Sequence, residues 1–295
     1  MKIFLTGSSG QVGFELLRDL STIGVVTAPS RQELDLSDTA AVSSFLEQLQ
    51  PDLIVNPAAW TAVDAAEGNE VGATLLNQSL PEALSLYAKQ QQTPIIHFST
   101  DYVYPGNGDS PWSEESETGP LSIYGRTKLA GDNTIKQSGV PHLIFRTSWV
   151  YAARGNNFLR TMLRLGMERE SLSVVNDQIG APTPARLISC ITLLAATRLL
   201  SNTIETGTYH LVTNGYTSWH GFAKEIFQQV QGRLPLSIDP VALQGIPSSE
   251  YPTPATRPLN SRLDVSKLEA ALGIQMPTWQ SQLKLTLDEY LQHNS

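Results

Sequence analysis

The chain has 295 residues, 41% of them apolar, and a formal net charge of −8. This length is enough to bury a large core without disulfides or metals, and the apolar content excludes a disordered or fibrous chain. The excess of acidic over basic residues, 28 against 20, argues against a nucleic-acid partner, because a phosphate backbone requires a basic face.

The single cysteine and the N-terminal residues predict the compartment. Cys190 has no second cysteine for an internal disulfide, which is typical of proteins in the reducing cytoplasm. The N-terminal residues form a short strand-like run rather than the apolar core of a secretion signal. No apolar stretch approaches the roughly 18 residues of a membrane span. We therefore predict a cytoplasmic protein that does not enter a membrane.

Short apolar runs alternate with helical periodicity in the first half of the sequence. The runs predict strands at 3–5, 25–27, 53–55, 95–99 and 143–146, and the periodicity predicts helices at 11–20, from a cap at Ser37 or Asp38 to Leu49, near 71–91 and at 124–137. Apolar strands separated by helices indicate a parallel sheet covered on both faces. The prediction is a Rossmann-type doubly wound α/β fold, whose ligands bind beyond the carboxyl ends of the strands.

The second half has a less regular rhythm. Helices are predicted at 157–169, 184–200, 217–231 and 279–292, and strands at 172–175 and 208–212. The loop at 105–120 is long enough to be a lid or substrate loop, and four prolines at 245–258 predict an extended surface crossing. We predict a dinucleotide-binding domain over 1–150 and a smaller α/β substrate lobe over 151–295, with some segments returning to the first domain.

A glycine-rich turn joins the first strand to the first helix. Gly7 permits the tight turn, Gly10 lets the backbone approach a pyrophosphate, and Gly13 allows close packing of helix on strand. The helix N-terminus, with Gln11 and Val12, then offers N–H groups and a favourable dipole to phosphates. The turn predicts dinucleotide binding.

The end of the second strand indicates which dinucleotide is bound. An NAD-specific site places an acidic residue about 20 residues after the glycine turn. Here no acid closes the strand, whereas Ser30 and Arg31 could hold a 2′-phosphate. The sequence favours NADPH, with NADH possible.

Three polar residues predict the chemistry. Tyr124 and Lys128 lie one turn apart on a predicted helix, and Thr100 follows an apolar strand, which places it at the crevice. A tyrosine with a pKa near ~10 is a poor acid–base group at neutral pH, and we expect the lysine cation and a positively charged nicotinamide to lower that pKa. With Thr100 orienting the reacting oxygen, the set suits proton transfer to a carbonyl during hydride delivery.

These motifs resemble the extended short-chain dehydrogenase/reductase superfamily. Within it, further blocks resemble the dTDP-4-dehydrorhamnose reductase family; they occupy 56–64, 99–106, 145–151, 155–158, 176–183 and 257–263. The resemblance spans residues 1 to about 265, nearly the whole chain. It implies reduction of the 4-keto group of dTDP-6-deoxy-L-lyxo-4-hexulose to dTDP-L-rhamnose, with hydride to the sugar C4 and a proton from Tyr124.

The resemblance also implies roles for individual residues. Those at the cofactor are Gly10, Gln11 and Val12 at the pyrophosphate, Asp35 and Leu36 beside the adenine, Ala58, Ala59 and Thr61 along the cleft, and the catalytic Tyr124 and Lys128, tuned by Thr100. Those at the deoxysugar are Val63, Thr100, Asp101, Tyr102 and Trp149. From the residues themselves, Trp149 is placed for a sugar platform, or else for ordinary core packing. Arg257 could pair with a diphosphate, or be a plain surface cation.

One departure concerns quaternary structure. Some members of the family resemble magnesium-linked dimers held by glutamates. Glu15 is present here, but Arg186 stands where a later glutamate is expected, and a cation cannot ligate a metal. We therefore predict no metal and favour a monomer over that dimer.

Three alternative functions are weighed against the reductase. Asp101 is followed by Tyr102 rather than by an acid, so a dehydratase lacks its acid–base pair. A nucleotide-sugar epimerase would retain its NAD through turnover. A non-catalytic regulatory binding subunit need not keep Tyr124, Lys128 and Thr100, so the presence of all three weighs against that function.

Overall fold

The computed structural model of the protein describes residues 1–293. The strands are β1 (Lys2–Leu5), β2 (Val25–Thr27), β3 (Leu53–Asn56), β4 (Ile95–Thr100), β5 (His142–Thr147), β6 (Val150–Tyr151), β7 (Ser173–Val175), β8 (Ile179–Gly180), β9 (Thr183–Pro184), β10 (Gly207–His210), β11 (Thr217–Ser218), β12 (Gln244–Ile246) and β13 (Asn260–Ser261). The helices are α1 (Gln11–Leu20), α2 (Thr39–Leu49), α3 (Val63–Gly68), α4 (Glu70–Thr74), a π-helical turn (Leu75–Ser79), α5 (Leu80–Gln91), α6 (Ile123–Ser138), α7 (Phe158–Glu168), α8 (Ala185–Leu200), α9 (Trp219–Val230), α10 (Ser266–Leu272) and α11 (Trp279–His293). Short 3₁₀ turns cover Asp101–Val103, Pro240–Ala242 and Ser248–Glu250.

A six-stranded sheet forms the centre of the fold. Its order is β10-β5-β4-β3-β1-β2, and every pair is parallel. The apolar side chains of Leu53, Ile54 and Val55 on β3 are fully buried, as expected for a strand covered on both faces. The predicted Rossmann-type doubly wound fold is confirmed.

Two elements from the second half of the chain, β10 and α8, add a strand to this sheet and a helix to the layer that packs on it. β10 pairs with β5 at the edge of the sheet. α8 packs against α1, where Ile188 and Ala195 share one apolar core with Leu16 and Leu20. Both elements are segments that return to the nucleotide-binding half; the division near residue 150 stays a prediction.

Three helices of the second half, α7, α9 and α11, build a separate apolar core, whereas Leu268 and Leu272 of α10 belong to the core that α1 and α8 share. Leu159 and Leu163 of α7 pack with Phe222 and Phe227 of α9 and with Leu283 of α11. Small sheets attach to it: β11-β8-β13, β12-β7 and β6-β9. In the segment 1–293, no helix combines the length and apolarity needed to cross a bilayer.

The structure contains elements that were not predicted, namely α3, α10 and the short strands β6, β8, β9, β11, β12 and β13. The helix expected near 71–91 is present as a continuous helical run from Glu70 to Gln91 that contains a π-helical turn, where the side chain of Asn77 bonds to the Trp60 backbone. α10 was not predicted, since its seven residues span too few turns for a periodicity. The crossing at 245–258 is not wholly extended or superficial, because it contains a 3₁₀ turn and buries Ala255.

Candidate active site

A large cleft lies at the carboxyl ends of the central strands. Its volume is about 910 Å³, near the upper end of the range for small-molecule and cofactor sites. The predicted site residues that line it are Gly7, Gly10, Gln11, Val12, Gly13, Arg31, Asp35, Leu36, Ala58, Ala59, Thr61, Val63, Thr100, Asp101, Tyr102, Tyr124, Lys128 and Trp149. Arg257 is not part of this lining.

The glycine turn forms one end of the cleft. Gly7 has a φ of +58°, a conformation that favours glycine. A Cβ at Gly13 would meet the Gly7 carbonyl oxygen at 2.1 Å, so the helix can approach the turn this closely only with glycine there. Gly10, the N-cap of α1, makes no side-chain capping bond. The helix N-terminus therefore presents its first N–H groups toward the cleft, as a pyrophosphate requires.

The ribose end of the cleft contains an exposed cation and a carboxylate. Arg31 is exposed at the cleft. Hydrogen bonds from Ser37 lower the pKa of Asp35, and the Arg31 cation contributes in the same direction. A charged, solvent-accessible guanidinium is better suited to bind a ribose 2′-phosphate than a ribose 2′-hydroxyl.

Tyr124 and Lys128 enter the cleft from the start of α6. Ser122 caps this helix by accepting a hydrogen bond from the Gly125 N–H at 3.1 Å, which fixes the first turn. Tyr124 packs edge-on against Tyr102, with ring centroids 5.4 Å apart. Loss of water around its hydroxyl raises the pKa of Tyr124 well above its usual value, and a hydrogen bond with Thr100 acts in the opposite direction.

Lys128 lines the cleft but is almost completely buried. Its Nζ donates to the carbonyl oxygen of Phe98 at 2.6 Å and lies 3.2 Å from His97 Nε2. Burial lowers the pKa of Lys128 to about 8, and the Asp132 carboxylate works against that shift. Burial and the interactions with Asp101, Tyr102 and Asp132 all raise the pKa of Tyr124 in the protein without ligands. The lowering of that pKa expected from Lys128 together with a positively charged nicotinamide stays a prediction.

Asp101 connects the catalytic strand to the second half of the chain. It is fully enclosed, and burial raises its pKa to about 6. Thr100 Oγ1 donates to one carboxylate oxygen at 3.1 Å, and Ser261 on β13 donates to the other. Ser261 lies in the family-like block 257–263, but sequence reasoning gave it no role, because its contact with Asp101 joins residues 160 positions apart.

Trp149 adopts a strained backbone beside a second tryptophan. Its φ is +49°, which is rare for a bulky residue. Its ring stacks on Trp219 at 3.7 Å, and a Cβ at Gly180 would lie 2.7 Å from the ring. This packing supports the platform interpretation of Trp149. Trp219 also lines the cleft; sequence reasoning assigned it to an ordinary amphipathic helix.

Arg257 is engaged by protein groups next to the cleft. One guanidinium nitrogen donates to Asp64 Oδ2 at 2.6 Å, and another donates to the Tyr102 hydroxyl at 3.1 Å. Direct pairing with a diphosphate stays a prediction, and the contacts add a second role, because Arg257 holds the Tyr102 ring that packs on Tyr124.

The predicted metal-free surface around Glu15 is rich in cations. Burial is the main cause of a raised Glu15 pKa, while Arg186, Arg154 and Arg18 act in the lowering direction. Within residues 1–293, no group of three or more His, Cys, Asp or Glu side chains is arranged for a metal ion. The absence of a metal and the monomeric state stay predictions.

Comparison with known proteins shows which family this chain belongs to. The family model described as the RmlD substrate binding domain matches residues 1–292. The chain is 45% identical to a dTDP-4-dehydrorhamnose reductase of Shigella flexneri over 294 residues, which cover 98% of each chain. The chain belongs to the dTDP-4-dehydrorhamnose reductase family. The membership expected from its motifs is thus confirmed.

Solved structures of dTDP-4-dehydrorhamnose reductases share the whole fold. The Clostridium acetobutylicum protein superimposes with a TM-score of 0.90 at 35% identity, over 98% of this chain and 99% of that one. The Bacillus anthracis protein, solved in complex with NADP, has a TM-score of 0.88 at 30% identity and the same coverage. The whole chain therefore has the fold of solved reductases of this family.

Proposed function

We propose that this protein reduces the 4-keto group of dTDP-6-deoxy-L-lyxo-4-hexulose to give dTDP-L-rhamnose, with NADPH as the reductant. The observation that carries the proposal is the convergence of Thr100, Tyr124 and Lys128 on a cleft whose other end is the uncapped N-terminus of α1. The relatives named as dTDP-4-dehydrorhamnose reductases, at 45% and 44% identity, support the substrate, and the NADP complex of one relative supports the cofactor.

The cleft residues suit NADPH at the glycine turn. When bound, NADPH supplies the hydride that is transferred to the sugar C4. Gln11 and Val12, in the first turn of α1, are placed to hold the pyrophosphate, and Arg31 to hold the 2′-phosphate. The groups that orient the sugar carbonyl and give it a proton then lie at the other end of the cleft.

Tyr124 is the proton donor in this proposal. Because its pKa is raised, the phenol keeps its proton before hydride transfer and can donate it to the alkoxide that develops at O4. Thr100, which is hydrogen-bonded to Asp101, orients that oxygen. Lys128, buried and charged below its pKa of about 8, then stabilises the phenolate that remains.

The substrate lobe supports sugar binding. Trp149, stacked on Trp219 at 3.7 Å, offers an aromatic face at the cleft, and such faces pack against the C–H groups of a pyranose. The acidic chain binds two polyanions in this proposal, so positive potential is needed locally, at the α1 N-terminus and at Arg31.

The decisive assay follows NADPH consumption in the presence of the 4-keto sugar nucleotide. We expect Tyr124→Phe to lower kcat by about 10²–10⁴-fold while leaving NADPH affinity within about threefold of wild type. Release of dTDP-L-rhamnose by the wild-type protein identifies the product. Turnover without net NADPH consumption would indicate an epimerase, and binding without turnover would indicate a regulatory subunit.

A further inference from the structure

Two tryptophans that lie far apart in the sequence form one stacked pair at the cleft. Trp149 follows β5, and Trp219 is the first residue of α9. Their ring centroids are 3.7 Å apart, and their ring planes differ by 11°. Both side chains are half-buried, and both line the cleft. The proton transfer from Tyr124 uses neither ring, so the pair has a different role.

Trp149 is held in a backbone conformation that a bulky residue rarely adopts. Its φ of +49° lies in the left-handed region, and strain of this kind persists only where the surroundings hold the residue. The Thr183 N–H donates to the Trp149 carbonyl oxygen at 3.2 Å. Gly180 makes room for the ring, because a Cβ there would lie 2.7 Å from its Cε2 atom. These contacts hold the backbone and one edge of the indole, and Trp219 covers one of its two faces.

Trp219 is in turn oriented by other protein groups. Its Nε1 donates to Gln178 Oε1 at 3.1 Å, and Gln178 Nε2 donates to Ser248 Oγ at 2.9 Å. The Phe158 ring packs against the indole at a centroid distance of 4.7 Å. An indole has a single hydrogen-bond donor and no acceptor, so the protein itself uses the only polar group of Trp219. What Trp219 offers at the cleft is therefore a fixed apolar surface.

The same contacts give a structural role to two residues of the family-like block 176–183. Gln178 orients Trp219 through its side-chain oxygen, and Gly180 leaves the space that the Trp149 ring occupies. The block therefore acts on both members of the stacked pair, although it contributes neither ring.

The stacking has a consequence for ligand binding. A ring whose orientation is already fixed loses less conformational freedom when a ligand packs on it, and this preorganisation raises affinity. Because one face of Trp149 is covered by Trp219, the ring has one face left for a ligand. Loss of Trp219 would allow the strained Trp149 backbone to relax and the ring to turn away.

We propose that Trp219 is a positioning residue for the sugar-nucleotide subsite: by stacking on Trp149 it holds that ring in its left-handed backbone conformation and directs the uncovered face at the sugar. This inference rests on the proposed function for the identity of the ligand and on the stacked geometry for its structural content.

The first test compares two substitutions of Trp219 with a matched control. Trp219→Leu removes the stacked ring and raises the KM for the sugar nucleotide about tenfold, while kcat and the Kd for NADPH stay within about threefold of wild type. Trp219→Phe keeps an aromatic face and holds that KM within about threefold of wild type. The control, Trp279→Leu, removes a buried indole from the apolar core of the same lobe, outside the cleft lining. It lowers the Tm without changing the KM for the sugar nucleotide.

A double-variant cycle tests whether Trp219 acts through Trp149. Trp149→Ala alone raises the KM for the sugar nucleotide, and adding Trp219→Leu to it raises that KM no further, because the ring that Trp219 positions is already absent. Additive increases would mean that Trp219 contacts the sugar directly, and they would overturn the proposal. A wild-type KM in Trp219→Leu would overturn it as well.

A second measurement needs neither substrate nor turnover. Two stacked indoles couple their excited states and give paired bands of opposite sign in the far-ultraviolet circular dichroism spectrum. We expect this pair of bands in the wild-type protein and in Trp279→Leu, and its loss in Trp149→Ala and in Trp219→Leu. Absence of the bands from the wild-type protein would refute the stacked pair. Because the spectrum requires no ligand, failure of the reductase assay and failure of this inference are distinguishable.

Discussion

Gly13 offers the sharpest test of the dinucleotide site. In Gly13→Ala the new Cβ would lie 2.1 Å from the Gly7 carbonyl oxygen, whereas ordinary contacts begin at 3.4 Å. The turn cannot retreat, because Gly7 already packs closely on the Ala58 backbone. The N-terminus of α1 must therefore move outward by about 1 Å in a close-packed site.

The size of the effect follows from this displacement. Overpacking against backbone costs about 3 kcal/mol, which lowers Tm by about 6–12 °C for a protein of this size. The same movement lengthens the bonds from the first N–H groups of α1 to a pyrophosphate, and the loss of one charge-assisted bond raises the Kd for NADPH by about 10–100-fold.

The assay is fluorescence titration with NADPH alongside thermal unfolding, with Gly68→Ala as the matched control. Gly68 ends α3, and a Cβ there meets no atom within 4 Å, so the control should unfold at the wild-type temperature or slightly above it. If Gly13→Ala binds NADPH as tightly as wild type and keeps its Tm, the glycine turn does not hold the pyrophosphate.

Two further predictions concern the sugar side of the cleft. Arg257→Ala should raise the KM for the sugar nucleotide about tenfold by freeing Tyr102, with little change in the KM for NADPH. Arg257→Lys should have the same raised KM, because one ammonium cannot span Asp64 and Tyr102. An unchanged KM for the sugar nucleotide in Arg257→Ala would remove Arg257 from the site. The pKa of Asp101 is raised to about 6, so the folded protein holds this proton more tightly than the unfolded chain and loses stability as the pH rises toward 6. Urea unfolding should therefore show Asp101→Asn gaining about 2 kcal/mol relative to wild type between about pH 4.5 and pH 7, and a pH-independent difference would contradict the buried, protonated state.

The features predicted correctly from the sequence are those that depend on local pattern. The limits of α1 and β2 match the predictions, because an amphipathic stripe and an apolar run are visible within one window. The glycine turn and the Tyr124–Lys128 spacing identify the two ends of the cleft for the same reason. The cap on α2, predicted at Ser37 or Asp38, is Asp38.

The features that were missed depend on residues distant in sequence. Asp64 meets Arg257 across 193 residues, and Ser261 meets Asp101 across 160. No periodicity or spacing links such partners, because the folded sheet alone brings them together. His97 was assigned to the core or surface, since an apolar strand gives no signal that one of its side chains touches a lysine 31 residues later.

The edge position of β10 has a consequence for protein synthesis. The sheet that binds the dinucleotide is bordered on one side by a strand whose last residue is His210. A nascent chain that has emerged only as far as β5 therefore exposes the open edge of that strand, a template for unwanted pairing. The ribosome must release more than two thirds of the chain before β10 can cover that edge, so the edge of β5 stays open throughout this interval of synthesis.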